Sequence, residues 1–312
     1  TSSKASVFVN EVTVITAQPT AVTACIGSSI SMSVSATGDN LMYQWFKDGN
    51  ILTGANNAVL TVSNVQTSTA GNYSVQVTGS CGIVTSANAL ATINTPAIIT
   101  VQPPSLVNIC AGTSTTLSVT ALGTNLTYQW FNDEGAITGA TTNSYVVTTE
   151  NNYYVKVSGE CNNITSAKSA VLVRALPQGS LTGSTICAGA EGQLLFTSTS
   201  TGTGPFTIVY TDGVTQYTKS SVISGVYFNT TNLSSTTNYT LVSVQDAIGC
   251  IRSDNFNGNT TSVIVNQLPT ITANPIDVVS DEGKNVTFTV AASGTAVKYQ
   301  WQLSSDMGVT YS

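Results

Sequence analysis

Six cysteines are the residues of this sequence whose type and spacing most directly suggest chemistry, and no histidine accompanies them. They recur at regular positions along the chain and form no Cys-x-x-Cys pair. Because zinc sites use close cysteine pairs, often together with histidine, disulfide formation is expected rather than metal binding. Disulfides persist in oxidising compartments, so the spacing predicts an exported protein. The six residues are Cys25, Cys81, Cys110, Cys161, Cys187 and Cys250.

Catalytic groups are not expected in this chain. Without histidine, neither a Ser-His-Asp nor a Cys-His arrangement can be assembled, and no Gly-x-x-x-x-Gly-Lys loop is present to bind phosphate. The adjacent carboxylates at 133–134 and 281–282 fall in predicted turns, where Asp usually accepts hydrogen bonds from the backbone. Asp277, Asp281 and Glu282 lack the spacing of a calcium loop. We therefore expect no enzyme activity, no cofactor and no metal ion.

Composition argues against two further classes of partner. The chain has 9 basic and 15 acidic residues, a formal net charge of -6, and no cluster of Lys or Arg that could neutralise phosphates. Nucleic acid is therefore not an expected partner. No apolar run reaches the roughly 20 residues that span a bilayer, so we expect no membrane insertion in this segment and place any export signal or anchor outside it.

An internal repeat determines the expected architecture. Tyr-Gln-Trp occurs at 43–45, 128–130 and 299–301, with about 85 residues between the first two copies. A Cys-x-Gly sequence lies upstream of each of the first two copies, beginning at Cys25 and Cys110. Between these landmarks, apolar and polar residues alternate, and turn residues recur every 8 to 12 positions or so. This pattern predicts small β-sandwiches, and the Tyr and Trp rings of Tyr-Gln-Trp are expected in their cores rather than in a platform for carbohydrate stacking.

A third copy of the repeat differs from the others. It opens with Cys-x-Gly at Cys187 but has no tryptophan, and Val209 stands near the expected indole position. Its core therefore needs other bulky side chains, and we expect Phe196, Phe206 and Phe228 to supply them. The copy is predicted to be a related but distinct sandwich.

These motifs together resemble a known family. The Val-x-x-Cys-x-Gly start, the Tyr-Gln-Trp strand, the Asp-Gly turn and Ala-Gly-Asn-Tyr at 70–73 resemble immunoglobulin-like domains of the intermediate set. The last stretch is similar to the tyrosine corner, in which a tyrosine hydroxyl returns to the backbone. Tandem Thr-, Ser- and Asn-rich copies resemble those of large Bacteroidota surface proteins exported by the type IX system, such as flavobacterial gliding-motility adhesins. The third copy resembles the PKD-like modules found beside them.

The resemblance implies an all-β chain of tandem immunoglobulin-like β-sandwiches in a linear array. Five segments are expected: the closing strand of a preceding domain at 1–14, immunoglobulin-like domains at 15–95 and 96–175, an immunoglobulin-like or PKD-like domain at 176–268, and the N-terminal part of a further domain at 269–312.

The cysteines depart from the antibody pattern, where one disulfide joins the centres of strands B and F. Val34 and Val75 stand at those positions here, so apolar packing is expected instead. Cys25 falls in the turn between strands A′ and B, and Cys81 falls in the turn between F and G, at the opposite end. At about 3.3 Å per residue, these two sulfurs would lie on the order of 35 to 45 Å apart, whereas a disulfide needs Cα atoms within about 7 Å.

Two disulfide sets remain open at this point. The length argument favours bonds across domain junctions, because the A′–B turn of one domain faces the F–G turn of the next. That set pairs Cys25 with Cys161 and Cys110 with Cys250, and leaves Cys81 and Cys187 for domains outside the segment. Sequence order and an altered topology would instead allow Cys25 with Cys81, Cys110 with Cys161 and Cys187 with Cys250.

The function implied by the resemblance is structural. The segment would be a non-catalytic stalk of a secreted cell-surface adhesin filament, involved in attachment or gliding motility and located at the outer membrane surface. Its partners would be neighbouring domains of the same chain, together with surface polysaccharide or other cell-surface proteins. The alternative is an immunoglobulin-like spacer array within a secreted multidomain hydrolase.

Overall fold

The computed structural model describes residues 4–200, 202–305 and 310. The chain divides into two compact units, one formed by Thr1–Val107 with Ser114–Leu172, and the other by Asn108–Thr113 with Val173–Ser312. Strands dominate the described residues, and their one helical element is a short 3₁₀ turn, Thr67–Thr69. No described helix has the length and apolar character needed to cross a membrane.

Unit 1 begins with a first sandwich in which short strands alternate with turns. Its strands are β1 (Val14–Ala17), β2 (Val22–Cys25), β3 (Ile30–Ser33), β4 (Ser35–Thr37), β5 (Met42–Lys47), β6 (Asn50–Ile51), β7 (Val59–Val62), β8 (Gly71–Gly79), β9 (Gly82–Thr85) and β10 (Ala89–Asn94).

The second sandwich follows with the same succession of strands, and the last residues of its β12 and β20 belong to unit 2. Its strands are β11 (Ile98–Val101), β12 (Leu106–Cys110), β13 (Thr115–Ser118), β14 (Thr120–Leu122), β15 (Thr127–Asn132), β16 (Gly135–Ala136), β17 (Ser144–Val147), β18 (Asn151–Ser158), β19 (Asn163–Thr165) and β20 (Ser169–Arg174).

Unit 2 contains a third sandwich and a final strand pair. The strands of the sandwich are β21 (Gly179–Gly183), β22 (Thr185–Cys187), β23 (Glu191–Ser198), β24 (Phe206–Thr211), β25 (Gln216–Val222), β26 (Tyr227–Asn232), β27 (Thr237–Gln245), β28 (Ile251–Arg252) and β29 (Thr260–Asn266), and the final pair is β30 (Thr270–Ala273) with β31 (Ala291–Ser293).

The larger sheet has the same topology in all three sandwiches. The orders are β2-β10-β8-β5-β6, β12-β20-β18-β15-β16 and β22-β29-β27-β24-β25, and a short extra strand pairs with the third member each time. The edge pairs β2/β10 and β22/β29 are parallel, whereas the neighbouring pairs β10/β8 and β29/β27 are antiparallel. The opposing strands are β1, β3, β4 and β7 in the first sandwich and β21-β23-β26 in the third.

Tryptophan fills the core of the first two sandwiches. Trp45 lies opposite Val75 in the sheet register, and neither side chain has measurable exposure. The indole Nε1 of Trp45 donates to the carbonyl oxygen of Asn57 at 2.9 Å, which satisfies its one polar group. Trp130 is equally buried. The expectation of a core role for these two rings is confirmed, and Val34 and Val75 are both buried without a disulfide between them.

The tyrosine corner is present in both of these sandwiches. The hydroxyl of Tyr73 donates to the carbonyl oxygen of Thr69 at 2.8 Å, and that of Tyr153 donates to Thr149 O at 3.1 Å. Each bond ties the start of the strand to the turn that precedes it. Burial raises the pKa of Tyr73, so the phenol stays protonated and able to donate at neutral pH.

Aromatic side chains replace tryptophan in the third sandwich. Phe196, Phe206 and Phe228 are buried, as expected. Val209 lies near the indole position, as predicted, but the residue at that position is its neighbour Tyr210, because a register irregularity between the two places Tyr210 opposite Leu241. That is the place of Trp45, since Leu241 follows the corner residue of its strand by two, as Val75 follows Tyr73.

The outermost segments contain little regular structure. Residues 4–11 form no strand among the described residues, and the side chains of Val7 and Val9 are each 87% exposed. In the segment 269–305, only β30 and β31 form, and Trp301 is 52% exposed. Residues 1–3, 306–309 and 311–312 lie outside the described residues. The five predicted domain segments remain predictions.

The corner bond leads to a first prediction. Tyr73→Phe removes one hydrogen bond without changing ring volume, so the free energy of local opening of β8 should fall by about 1 kcal/mol. Amide hydrogen exchange in β8 should then become roughly fivefold faster. Tyr239→Phe is the matched control, because the Tyr239 hydroxyl has no hydrogen-bond partner among the described residues, and exchange in β27 should be unchanged. Equal effects of the two substitutions would contradict the corner assignment.

Candidate functional site

Three of the cysteines occupy equivalent Cys-x-Gly turns. In the first, Cys25 ends β2, and its carbonyl oxygen accepts hydrogen bonds from both the amide and the hydroxyl of Ser28. Gly27 has φ 84°, a left-handed conformation that favours glycine, and the corresponding Gly112 and Gly189 have φ 82° and 86°. The sequence spacing of Cys and Gly therefore reflects one turn geometry.

These turns lie at the end of the sheet where the last strand of each sandwich finishes. Cys25 is in register with Asn94 on the parallel strand β10, and the next amide, that of Ile26, donates to the Asn94 carbonyl at 3.0 Å. Cys187 is likewise in register with Asn266 on β29. Cys110 ends β12, and the Ala111 amide after it donates to Arg174 O at 2.8 Å.

The other three cysteines follow the long central strand of each sandwich. Cys81 lies between β8 and β9, and its carbonyl oxygen accepts from the Thr13 amide at 3.3 Å. Cys161 lies between β18 and β19, beside Asn162, whose side-chain Oδ1 accepts from the Ala97 amide at 2.6 Å. Both positions are thus adjacent to the residues where their own sandwich begins.

The loop that carries Cys250 is organised by Asp246, a residue that sequence reasoning missed. Asp246 is 6% exposed, and its Oδ1 accepts from the amides of Ile248 and Cys250 at 3.2 and 2.9 Å. The Asp246 amide in turn donates to the Cys250 carbonyl at 3.0 Å, and the Ala247 amide donates to Thr203 O. Oδ2 of Asp246 has no hydrogen-bond partner among the described residues.

Four of the six cysteines are brought together in two disulfides. Cys25 bonds to Cys161 within unit 1, with their Cα atoms 5.7 Å apart. Cys110 bonds to Cys250 within unit 2, with a Cα separation of 5.5 Å. The first bond joins the Cys-x-Gly turn between β2 and β3 of the first sandwich to the loop between β18 and β19 of the second. These are the pairs of the junction set; the pairs of the alternative set are not formed.

Cys81 and Cys187 are unpaired and exposed. Their positions match those of the bonded cysteines: Cys187 lies in a Cys-x-Gly turn like Cys25, and Cys81 follows a central strand like Cys161. The Sγ of Cys81 lies 3.7 Å from Asn10 O, a long contact. Each therefore presents an accessible thiol at an end of its sandwich.

Other chemistry is sparse among the described residues. They contain no group of three His, Cys, Asp or Glu side chains that could hold a metal ion. Asp133 accepts from Lys168 at 2.7 Å and from Asn152, and these bonds hold the pKa of its carboxyl below the usual range. Asp281 and Glu282 lie in an exposed turn. The carboxylates at 133–134 and 281–282 thus occupy turns, as the sequence suggested.

Two family descriptions match the sequence. "Ig-like domain CHU_C associated" matches residues 96–177, and "Immunoglobulin domain" matches residues 14–78. With the repeated sheet topology, these matches decide the fold class. The chain carries tandem immunoglobulin-like domains. The prediction of an all-β chain of tandem immunoglobulin-like domains is therefore confirmed. Neither of the two matched domains contains the disulfide that usually joins the two sheets in the core of such domains.

Solved structures with similar folds include several immunoglobulin-like arrays. The titin I-band fragment I67–I69 has 14% identity and a TM-score of 0.47, covering 82% of this chain and 97% of the titin fragment. Sidekick-1 immunoglobulin domains 1–4 have 15% identity and a TM-score of 0.38, covering 91% of this chain and 82% of theirs. Extracellular domains 3–5 of Drosophila OTK have 14% identity, a TM-score of 0.36 and coverages of 82% and 97%. No curated protein matches the chain.

The Asp246 loop gives a second prediction. Asp246→Ala leaves the Ile248 and Cys250 amides without their acceptor, which should destabilise the loop by about 1 to 3 kcal/mol. The Cys110–Cys250 bond should then be reduced faster by dithiothreitol, as followed by alkylation and mass spectrometry. Asp246→Asn keeps the Oδ1 acceptor and should have a clearly smaller effect.

The Cys25–Cys161 bond in the same molecule is the internal control for this experiment. Its reduction rate should be unchanged in both variants. Identical rates for the alanine variant and the unmodified chain at Cys110–Cys250 would show that Asp246 does not support the cysteine loop.

Proposed function

We propose that the chain is a non-catalytic spacer segment whose domain junctions are stiffened by disulfides, in a secreted protein displayed on a cell surface. The observation that carries this proposal is the Cys25–Cys161 bond, which connects two immunoglobulin-like domains in addition to the polypeptide itself. A spacer gains from such a bond because its task is to hold other parts of the protein at a distance.

The junction between the first two domains supports a stiffening role. Thr95 is the residue that follows β10, and its amide and hydroxyl both contact the hydroxyl oxygen of Thr124, at 2.9 and 3.1 Å. The Thr124 amide returns a bond to Thr95 O, and Ala97 is 1% exposed. The linker is therefore short and bonded. A second covalent connection removes most of the bending freedom that one short linker leaves.

The two unpaired cysteines extend the same arrangement. We assign Cys187 to a bond with the F–G cysteine of a domain after 268, and Cys81 to a bond with the Cys-x-Gly turn of a domain before 15. Their equivalence to Cys25 and Cys161 in turn type and strand position supports this assignment. Exposure of both thiols in this segment also fits partners in neighbouring domains.

More specifically, we propose that the segment belongs to an adhesin. The CHU_C-associated family match, the disulfides and the resemblance to Bacteroidota surface proteins support a type IX-exported, outer membrane-associated filament that acts in attachment or gliding. Its partners would then be surface polysaccharide or other cell-surface proteins, with the neighbouring domains of the chain as covalent partners. In this proposal the segment itself is non-catalytic.

Disulfide connectivity in the secreted protein is the third prediction. A non-reducing peptide map should give one linked peptide pair with Cys25 and Cys161 and another with Cys110 and Cys250. A linked peptide containing Cys25 and Cys81 would contradict the junction arrangement.

Stiffening itself can be measured in the same chain. The double variant Cys25→Ser/Cys161→Ser should broaden the distance distribution from small-angle X-ray scattering and accelerate hydrogen exchange at Thr95 and Ala97. Cys81→Ser, which removes an unpaired thiol, is the control and should change neither. An unchanged distance distribution in the double variant would contradict the stiffening role without affecting the assignment of the fold.

The adhesin assignment needs a test in cells. Deletion of the gene should reduce attachment or spreading on a surface, and reintroduction of the gene should restore it. Normal attachment together with lost extracellular hydrolysis would instead support the spacer array of a secreted hydrolase.

A further inference from the structure

A pocket of about 460 Å³ opens on the third domain, between the edge strand β25 and strand β26. Its volume lies within the range of roughly 300 to 1,000 Å³ that small-ligand sites occupy. Tyrosine, threonine and amide side chains dominate the lining, which comprises Tyr210, Gln216, Tyr217, Thr218, Lys219, Asn229, Thr230, Thr231 and Tyr239.

The pocket lies over the position that tryptophan fills in the other two domains. There, the indole Nε1 of Trp45 or Trp130 donates to a carbonyl of the following loop at 2.9 Å. In the third domain, Tyr210 stands opposite Leu241 at the same place, and it is 5% exposed. Its hydroxyl has no hydrogen-bond partner among the described residues, so the inward bond made by the indoles has no counterpart here.

The corner residue of the third domain shows the same difference. Tyr73 and Tyr153 use their hydroxyls to bind a backbone carbonyl of the preceding turn. Tyr239 is the equivalent residue and is 1% exposed, yet its hydroxyl makes no bond to any described residue. Tyr210 and Tyr239 are both nine-tenths or more buried as residues, and both line this one pocket. Their hydroxyl oxygens have no protein partner among the described residues and remain accessible from the pocket, where they can contact a bound molecule.

A third tyrosine provides a fixed ring at the pocket wall. Tyr217 stacks on Tyr210 with centroids 5.3 Å apart and planes inclined by 22°. Its hydroxyl donates to Asp212 Oδ2 at 2.9 Å, and Asp212 is itself held by the amides of Val214 and Thr215. These bonds lower the pKa of Asp212, so the carboxylate stays ionised and keeps Tyr217 oriented.

From these contacts we propose that the pocket binds a neutral saccharide unit. A sugar supplies hydroxyls that can satisfy Tyr210 and Tyr239, and its C–H face can pack on the Tyr217 ring. Threonine and asparagine around the rim are suited to the remaining sugar hydroxyls. Burial raises the pKa of Tyr210, so its phenol remains a donor at neutral pH.

Two other ligand classes fit less well. Lys219 is the only charged residue of the lining, and a single exposed ammonium is a weak basis for binding an anion. A peptide strand would have to add to the outer edge of β25, where Ser221 has φ 57° and the pairing with β24 shifts register. Irregular edges of this kind disfavour strand addition.

Saccharide binding can be tested with the full chain. Titration of the ¹⁵N-labelled protein with cellohexaose, laminarihexaose, xylohexaose and mannohexaose should, for at least one of them, shift amide resonances confined to β25 and β26. The double variant Tyr210→Phe/Tyr239→Phe should bind about tenfold more weakly, since two hydrogen bonds are lost without a change in ring volume. Tyr217→Ala should weaken binding at least as much.

Tyr73→Phe/Tyr153→Phe is the matched control, because it deletes the same two hydroxyls where they serve the backbone. Its affinity should equal that of the unmodified chain. The proposal is overturned by no shift with any of these sugars, by unchanged affinity in the Tyr210/Tyr239 variant, or by shifts located elsewhere. Binding of a Ser/Thr-rich peptide along β25 without any sugar response would also overturn it in favour of strand addition.

The saccharide site deepens the adhesin part of the proposed function, on which its biological role rests, and is independent of the spacer role. A failed sugar titration leaves the peptide map and scattering results unaffected, and loss of junction stiffness leaves the pocket unchanged.

Discussion

A disulfide can join only cysteines whose Cα atoms approach within about 7 Å, and this limit governs the use of cysteine throughout the chain. In the first domain, Cys25 is in register with Asn94 at one end of the sheet, whereas Cys81 follows the nine-residue strand β8 at the other end. Such a strand is roughly 30 Å long. Each cysteine can therefore bond only to a residue outside its own domain. The Cys25–Cys161 bond is the direct consequence.

Placing cysteine at the ends requires a core that is stable without it. Val34 and Val75 occupy the sites of the usual core disulfide and are 4% and 0% exposed. Trp45 packs between them and the loop carbonyl of Asn57, so one side chain supplies both apolar bulk and a satisfied hydrogen bond. Stability inside each domain and connection between domains thus depend on different residues. That separation lets a junction change without disturbing a core.

The sequence repeat predicted the sandwiches and their cores because the motifs within each copy are local signals. Alternation along a strand, a Gly that needs a left-handed turn, and a corner tyrosine each act within a few residues. The position of Tyr210 could not be obtained this way, since an irregularity between Val209 and Tyr210 shifts the register by one residue and exchanges the faces. Asp246 was missed because its burial depends on contacts of its loop with Thr203 and Cys250. The alternation of residues along the sequence does not show that these residues lie close to it.

Trp301 shows the limit of the same reasoning. Its Tyr-Gln-Trp context matches that of Trp45, yet it is 52% exposed, because burial of the ring requires an opposite strand equivalent to β8. Residues 269–305 contribute only β30 and β31. The motif indicates which side chain would be buried in a core. Whether that core forms depends on the other strands of the domain.

The third domain raises an energetic question that packing alone does not answer. Its aromatic cluster, with Phe196–Phe206 and Tyr210–Phe228 ring centroids 5.3 and 5.6 Å apart, would pack equally well around phenylalanine at 210 and 239. The hydroxyls of Tyr210 and Tyr239 have no protein partner among the described residues, and their oxygens border the pocket instead of being fully buried. Water in the pocket can therefore satisfy them in the isolated domain. A ligand gains affinity there when its own hydroxyls replace these water contacts with bonds of similar quality. Two phenols beside one pocket are thus better explained by what the pocket binds than by the packing of the core.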